Sequence, residues 1–146
     1  MKIKTLVAVL LLSGGVTSTF AQSDCNANSS ISHEAVRAKN FKDAYAPCMA
    51  VLKDCPTLRY YTYTDAQKIL TGLMSQIKDR NSAEYKKLFD ELMAVHDQKM
   101  KYIPEFASKM KGVPSVASAL GTKAVDYLQY APAPDLNQAY AWLKES

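Results

Sequence analysis

Apolar residues recur at the helical spacing of three to four positions along most of the chain after residue 30. The clearest example lies between Asn40 and Pro56, where one stripe contains the following residues: Phe41, Ala44, Cys48, Val51, Leu52 and Cys55. Such a stripe marks the buried face of an amphipathic helix. Pro56 ends the pattern because proline has no backbone N–H to continue a helix. We therefore predict a helix over residues 41–54.

Further segments with the same spacing lie between residues that start or stop helices. They cover about residues 30–39, 58–78, 82–102, 115–129 and 135–146. Ser82, Ser115 and Asp135 can cap the first N–H groups of three of these helices, and Pro104 is expected to end the helix that Ser82 begins. No segment of the sequence shows the sustained alternation of a half-buried strand. The pattern predicts an all-α domain with about six helices.

The first 21 residues have a different pattern. A short basic region precedes an apolar run over residues 6–12, and small residues lead to Ala21. This order is typical of a secretory signal peptide cleaved after Ala21, and the run is shorter than the ~20 apolar residues of a membrane-spanning helix. We expect residues 22–146 to form one domain that is periplasmic or secreted and not inserted in the membrane. A lipoprotein acylated at Cys25 is the alternative, although the preceding residues do not form a lipobox.

Charge argues against a nucleic-acid partner. Loss of the signal peptide removes Lys2 and Lys4 and lowers the formal net charge of the chain from +4 to +2. The other lysines are interleaved with acids, whereas nucleic-acid binding favours a basic patch. The nearest cluster is interpreted as a solvated face, and its members are Lys99, Lys101, Lys109 and Lys111. No motif in the sequence indicates a cofactor, so none is predicted.

Three cysteines, Cys25, Cys48 and Cys55, follow the signal peptide. Export favours a disulfide, and an odd number leaves one thiol free. Cys48 and Cys55 would lie about 10 Å apart on one helix, beyond the ~7 Å limit between bridged Cα atoms, so at most one pairs with Cys25. In an antiparallel hairpin, the start of the first helix lies beside the end of the second. This topology predicts a Cys25–Cys55 bridge and a buried Cys48 thiol.

Within residues 40–56, the spacing Ala44-x3-Cys48-x2-Val51-x4-Pro56 resembles the second helix of a tetratricopeptide repeat and the loop after it. Ala44 matches the small residue at the helix crossing, and Pro56 matches the closing proline. Cys48 replaces a bulky aromatic residue and Val51 replaces an alanine. The resemblance implies a right-handed array of stacked antiparallel helix hairpins. It also implies a binding or scaffold module for proteins or peptides in a Gram-negative cell envelope.

Partner-binding residues are predicted on two helices. The first group contains the aromatic residues at the start of the third helix: Tyr60, Tyr61 and Tyr63. They point in different directions around that helix, so not all can face inward, and such aromatics are common in interfaces. The second group is the apolar stripe of the sixth helix: Leu136, Tyr140 and Leu143. We expect a protein or peptide on these residues. Because this stripe has no partner helix after it, we expect residues 22–146 to be the N-terminal part of a longer array, with a following repeat, or a second copy of the chain, on the sixth helix.

The histidines give no convincing catalytic or metal site. His33 and His96 each stand beside an acid, but neither has a second histidine or cysteine three or four positions away, as a helical metal site needs. We therefore predict a protein that is not an enzyme and binds no metal. The alternative is a small envelope enzyme, or a regulatory subunit of one, with His33 or His96 in a polar pocket.

Overall fold

The computed structural model describes the backbone of residues 17–146 and the side chains of residues 24–146. This part of the chain contains six α-helices and no strand, which confirms the all-α prediction. The helices are α1 (Thr17–Arg37), α2 (Phe41–Asp54), α3 (Tyr61–Met74), α4 (Ala83–Lys109), α5 (Val116–Tyr130) and α6 (Leu136–Glu145). Most of the expected signal peptide, residues 1–16, lies outside the described residues, so cleavage after Ala21 stays a prediction.

In the described part of the chain, no helix has both the length and the apolar character needed to span a membrane.

Three predicted helix limits are wrong. Pro104 lies inside α4, which continues to Lys109. Because Ile103 and Phe106 on either side of it are buried, core packing holds this turn helical despite the missing N–H. α1 begins well before residue 30. α3 ends at Met74 rather than near residue 78, and backbone bonds of turn type follow it.

The α1 and α3 helices lie side by side and run in the same direction. Ser29 meets Tyr61 at 3.3 Å between hydroxyl oxygens, and His33 meets Asp65 at 2.7 Å between Nδ1 and Oδ2. Both pairs are separated by 32 positions in the sequence. A constant offset of this kind requires parallel helices in fixed register.

The α2 and α4 helices are likewise parallel, with a different offset. The Tyr45 hydroxyl donates to Glu91 at 2.7 Å, and the Gln98 side chain donates to the Leu52 carbonyl at 2.8 Å, both across 46 positions. Alternate helices therefore run parallel, as stacked antiparallel hairpins require. The tetratricopeptide assignment and the right-handed sense of the array stay predictions.

The apolar core lies among α1–α4. Ala44 and Cys48 of α2 are fully buried, as are Ile69 and Leu70 of α3. Close packing also requires a glycine here, because a Cβ on Gly72 would come within 2.3 Å of the Phe41 ring. The long α4 helix closes this core on its other side.

The disulfide between Cys25 and Cys55 confirms the predicted pairing, with Cα atoms 6.3 Å apart. It ties α1 to the residue that caps the C-terminus of α2. Cys48 is the buried free thiol, also as predicted. Burial raises the pKa of the Cys48 thiol to about 12, and the negative charge of Asp65 adds to this rise. The thiol is therefore un-ionised and unreactive at neutral pH.

Candidate functional site

A histidine–aspartate pair joins α1 to α3. The His33 Nδ1 atom lies 2.7 Å from the Asp65 Oδ2 atom, and the Asp65 side chain is only 3 % exposed whereas that of His33 is 37 % exposed. An ionised carboxylate can only accept hydrogen bonds, so Nδ1 is the donor. The accessible ring nitrogen of His33 is therefore Nε2, in a tautomer and orientation that Asp65 fixes.

Other polar contacts along the same helix boundary hold His33 in place. Its ring packs on Tyr61, with centroids 4.6 Å apart. Arg59 donates to the Tyr61 hydroxyl, which also contacts Ser29, and Arg59 donates to the Asn26 side chain at 3.2 Å. The result is a row of polar pairs between α1 and α3, with His33 at one end.

A half-exposed imidazole oriented by a buried carboxylate is an arrangement that proteins use for general bases and metal ligands. A base also needs a group to activate. Ser29 is buried, and the raised pKa of the Cys48 thiol keeps it protonated. Among residues 24–146, no three His, Cys, Asp or Glu side chains come together as a metal site. The geometry supplies an oriented base whose hydrogen bond, among the described side chains, goes to Asp65 and not to a serine, threonine or cysteine.

A second histidine–aspartate pair lies inside the molecule. The His96 Nε2 atom is 2.8 Å from the Asp126 Oδ2 atom, and here the histidine is 0 % exposed and the aspartate 19 % exposed. The Gln67 amide lies 3.0 Å from Nδ1 of the same ring. Lys99 donates to the Gln67 carbonyl oxygen at 3.3 Å. This network joins α3, α4 and α5, and its imidazole has no access to a substrate.

Lys99 corrects the interpretation of the lysine cluster as a solvated face. Its side chain is buried, and burial lowers the pKa of the Lys99 amine while the charge of Asp126 opposes that shift. Lys101, Lys109 and Lys111 are exposed, as expected. Lysine spacing alone did not reveal that one of these four residues is buried and bonded to Gln67 of α3.

The α5 and α6 helices are attached by small and polar residues. The buried side chains of α5 are those of Ala119, Lys123 and Ala124, and α6 buries Ala139. Lys123 pairs with Asp97 of α4 at 2.5 Å. This attachment differs from the apolar packing of α1–α4, since few large apolar side chains of the last hairpin face inward.

The three tyrosines predicted at an interface are not all on the surface. Tyr63 is fully buried, and its hydroxyl donates to the Pro56 carbonyl at 2.8 Å. This burial corrects the prediction for Tyr63, which is a core residue. Tyr60 is half-buried with its ring 5.5 Å from that of Phe106, and Tyr61 is occupied by the contacts to α1. Only Tyr60 and Tyr61 keep a partial surface.

The residues predicted on the sixth helix form an exposed apolar face. Leu136, Tyr140 and Leu143, named here the α6 stripe, are 70 %, 69 % and 43 % exposed. The helix attaches to α5 through its other side, where Ala139 is buried and the Trp142 ring lies 5.2 Å from that of Tyr127. The structure thus leaves the three residues of the α6 stripe facing solvent, whereas Trp142 packs on α5. Their binding role stays a prediction.

Sequence reasoning missed Asp65, Gln67 and Asp126. The sequence did contain one signal that Asp65 is buried. This acid lies beside Ala66 and one helical turn before Ile69, within the buried face of α3. A polar residue at such a position needs a partner. Neither the identity of the partner nor the two contacts of His96 could be read from local spacing.

No family model, curated protein or solved structure matches this chain. Function is therefore inferred from the geometry of these residues.

Proposed function

We propose that this protein is an exported helical-hairpin module that binds another protein through the α6 stripe. The main support for this proposal is that three large apolar side chains on one face of α6 are exposed, while the small Ala139 faces inward. Exposed apolar patches on folded domains are typical of interaction sites. The α6 stripe is a ridge on a short helix and not a pocket. A partner that complements such a ridge is an amphipathic helix with its own apolar stripe.

Export is supported by two features. Stable disulfides belong to oxidising compartments, and Cys25–Cys55 is such a bridge. The N-terminal sequence also has the layout of a secretory signal. We place the module in the periplasm or outside the cell, where it would act as a scaffold or binding subunit.

A small envelope enzyme is the second candidate, and the His33–Asp65 pair is the observation that favours it. His96 no longer supports this candidate because its ring is fully buried. Because the described side chains give the His33 ring a hydrogen bond to Asp65 and none to a serine, threonine or cysteine, such an enzyme would activate water or a group of the substrate itself. Screening hydrolysis of chromogenic esters with the wild type and His33→Ala tests it, and equal rates would exclude His33 as a base for these substrates.

Site-specific photo-crosslinking tests the binding function. A photoreactive phenylalanine is placed at Tyr140 of the α6 stripe or, as the matched control, at Gln138, which is exposed on another side of the same helix. Irradiation of cells that export the protein should give a discrete adduct from position 140 and none from 138. Adding Leu136→Glu should abolish the adduct, because a charge on the stripe prevents apolar docking.

Two results would overturn the proposal. One is equal labelling from both positions, and the other is no adduct from either. Circular dichroism of each variant checks that the helices are intact, so a lost adduct is not a lost fold.

A further inference from the structure

We infer that the Cys25–Cys55 bridge is a redox-controlled latch for α1, which docks stably on α2 and α3 only after export to an oxidising compartment. With both thiols reduced, α1 separates from the domain while α2, α3 and α4 stay folded. This inference rests on the export proposed above and does not involve the α6 stripe. It makes the bridge a conformational control as well as a covalent support.

The inward face of α1 contributes little apolar surface to the core. Among residues 24–37, the buried side chains are those of Cys25, Ser29, Ser32 and Val36. Apart from the bridged cysteine, Val36 is the one apolar member of this set, and Ala35 adds a partly buried methyl group. Burial of apolar surface is the main favourable term in folding, and the serines supply almost none of it. The α3 helix, by contrast, buries a set of large side chains: Tyr63, Ile69, Leu70 and Met74.

The other contacts that hold α1 on α3 are polar pairs, and they are only part-buried. They are Asn26–Arg59, Ser29–Tyr61 and His33–Asp65. Water replaces such pairs when the helix separates, so each gives a small net stabilisation. The bridge spans 30 positions of the sequence, and a loop of that length gives it a large entropic effect against the open state. The covalent tie is therefore the strongest single restraint on α1.

Closure of the latch is a two-step thiol–disulfide exchange with an oxidant that itself carries a disulfide. The thiolate of one cysteine attacks that disulfide and releases one thiolate of the oxidant, and the thiolate of the other cysteine displaces the second. The two cysteines lose two protons and two electrons, and the oxidant becomes a dithiol. A dithiol reductant reverses both steps. A newly made chain in a reducing compartment therefore keeps α1 open until it reaches the oxidant.

The Cys48 thiol reports on the position of α1. Its sulfur lies 3.7 Å from the Thr62 carbonyl oxygen of α3, and the Ser32 side chain of α1 hydrogen-bonds to it. The thiol is fully buried, so an alkylating reagent reaches it only when the structure opens. Separation of α1 removes the cover on one side of the thiol, whereas reaction in the latched protein requires a much larger opening.

Alkylation of Cys48 by iodoacetamide in increasing, non-denaturing urea tests the latch. Cys48 is the only free cysteine both in the purified wild type and in the Cys25→Ser, Cys55→Ser double variant. The wild type should react slowly and with a steep urea dependence, because global unfolding exposes much surface. The double variant should react on the order of a hundredfold faster without urea. Its urea dependence should be shallow, because separation of α1 alone exposes little surface.

The matched control is Leu92→Ala, which truncates a fully buried side chain of α4 and leaves the bridge intact. Its loss of stability should be similar in size to that of the double variant. Cys48 should therefore react faster than in the wild type, while the steep urea dependence remains.

Thiol trapping in cells tests the control by compartment. Protein is quenched with acid, unfolded and alkylated with a mass tag that counts free thiols. The full chain, once exported, should show one thiol, that of Cys48. A chain that lacks residues 1–21 and stays in the cytoplasm should show all three cysteines free.

Several results would count against the latch. Equal rates of alkylation, or a faster rate with an unchanged steep urea dependence, overturn it, as does a double variant that is unfolded as a whole. A bridge already present in the cytoplasmic chain overturns the control by compartment. If the full chain is not exported, the proposed location fails, while the urea test on purified protein still decides the latch. None of these results depends on the α6 stripe, whose binding function is tested separately by photo-crosslinking.

Discussion

The two histidine–aspartate pairs are made of the same groups at nearly the same distance, and they are buried in opposite ways. In His33–Asp65 the carboxylate is inside and the imidazole is half-exposed, whereas in His96–Asp126 the imidazole is inside and the carboxylate reaches the surface. The buried member decides the role. A buried carboxylate orients an accessible ring, and a buried ring with both nitrogens bonded serves as a structural link between helices.

Position in the stack explains the difference. His33 lies on α1, at the edge of the stack, where a neighbouring helix covers only one side of the ring. The ring therefore keeps contact with solvent. His96 lies on α4 between Gln67 of α3 and Asp126 of α5, which together cover it. The same chemical pair is therefore a candidate site at the edge of the fold and a packing element in its interior.

Chemical modification should give the largest contrast between the pairs. Diethyl pyrocarbonate is expected to modify His33 quickly, while His96 reacts only when the fold opens. Because opening the fold costs ~5 kcal/mol or more, His96 should react more slowly than His33 by about five thousandfold or more. Peptide mapping over time measures both rates, and the urea-unfolded protein, where the two should react alike, is the control. Similar rates in the folded protein would contradict the burial of His96.

Removal of the disulfide should affect the two pairs unequally. Cys25→Ala combined with Cys55→Ala should lower the free energy of unfolding by about 3–4 kcal/mol in the chain-entropy treatment of a loop of this length. Urea denaturation measures this loss. Because the bridge ties α1 to the end of α2, the NMR signals of the His33 ring should shift while those of His96 stay in place. Equal shifts of both rings would show that the bridge does not act locally.

Truncation of each histidine should cost different amounts of stability. His96→Ala leaves a cavity among three helices and removes the partner of the Gln67 amide nitrogen, so we expect a loss of about 3 kcal/mol in the free energy of unfolding. His33→Ala should cost about 1 kcal/mol, because water can replace the half-exposed ring beside Asp65. Urea denaturation of both variants with the disulfide intact compares them. A larger loss for His33→Ala would reverse our assignment of the structural pair.

Burial, and secondarily the charge of Asp65, raises the pKa of the Cys48 thiol and so makes stability depend on pH. The pKa of this thiol is raised to about 12 in the fold, against ~8.5 in an unfolded chain. Above pH 8.5 the unfolded state loses this proton and the folded state keeps it, so stability falls as pH rises. We expect a loss of about 1 kcal/mol between pH 8 and 9.5. Cys48→Ala should remove most of that slope, and an unchanged slope would assign it to other groups.

The sequence by itself determined the helical class, the α2 stripe, the Cys25–Cys55 pairing and the exposure of the α6 stripe. These features depend on local periodicity, on capping residues such as Ser82, Ser115 and Asp135, whose side chains all accept from the first turn of their helices, and on the topology of one short hairpin. Such signals act over a few residues or one connection, so a single sequence is sufficient to read them.

Only the tertiary structure decided which polar residues meet. Asp65 with His33 and Asp126 with His96 are joined across 32 and 30 positions, and the burial of Lys99 and Tyr63 depends on which helix covers them. The continuation of α4 through Pro104 has the same origin, because packing of Ile103 and Phe106 outweighs one missing hydrogen bond. Helical spacing gives the direction in which a side chain points. The neighbouring helix it meets depends on contacts made across the whole chain.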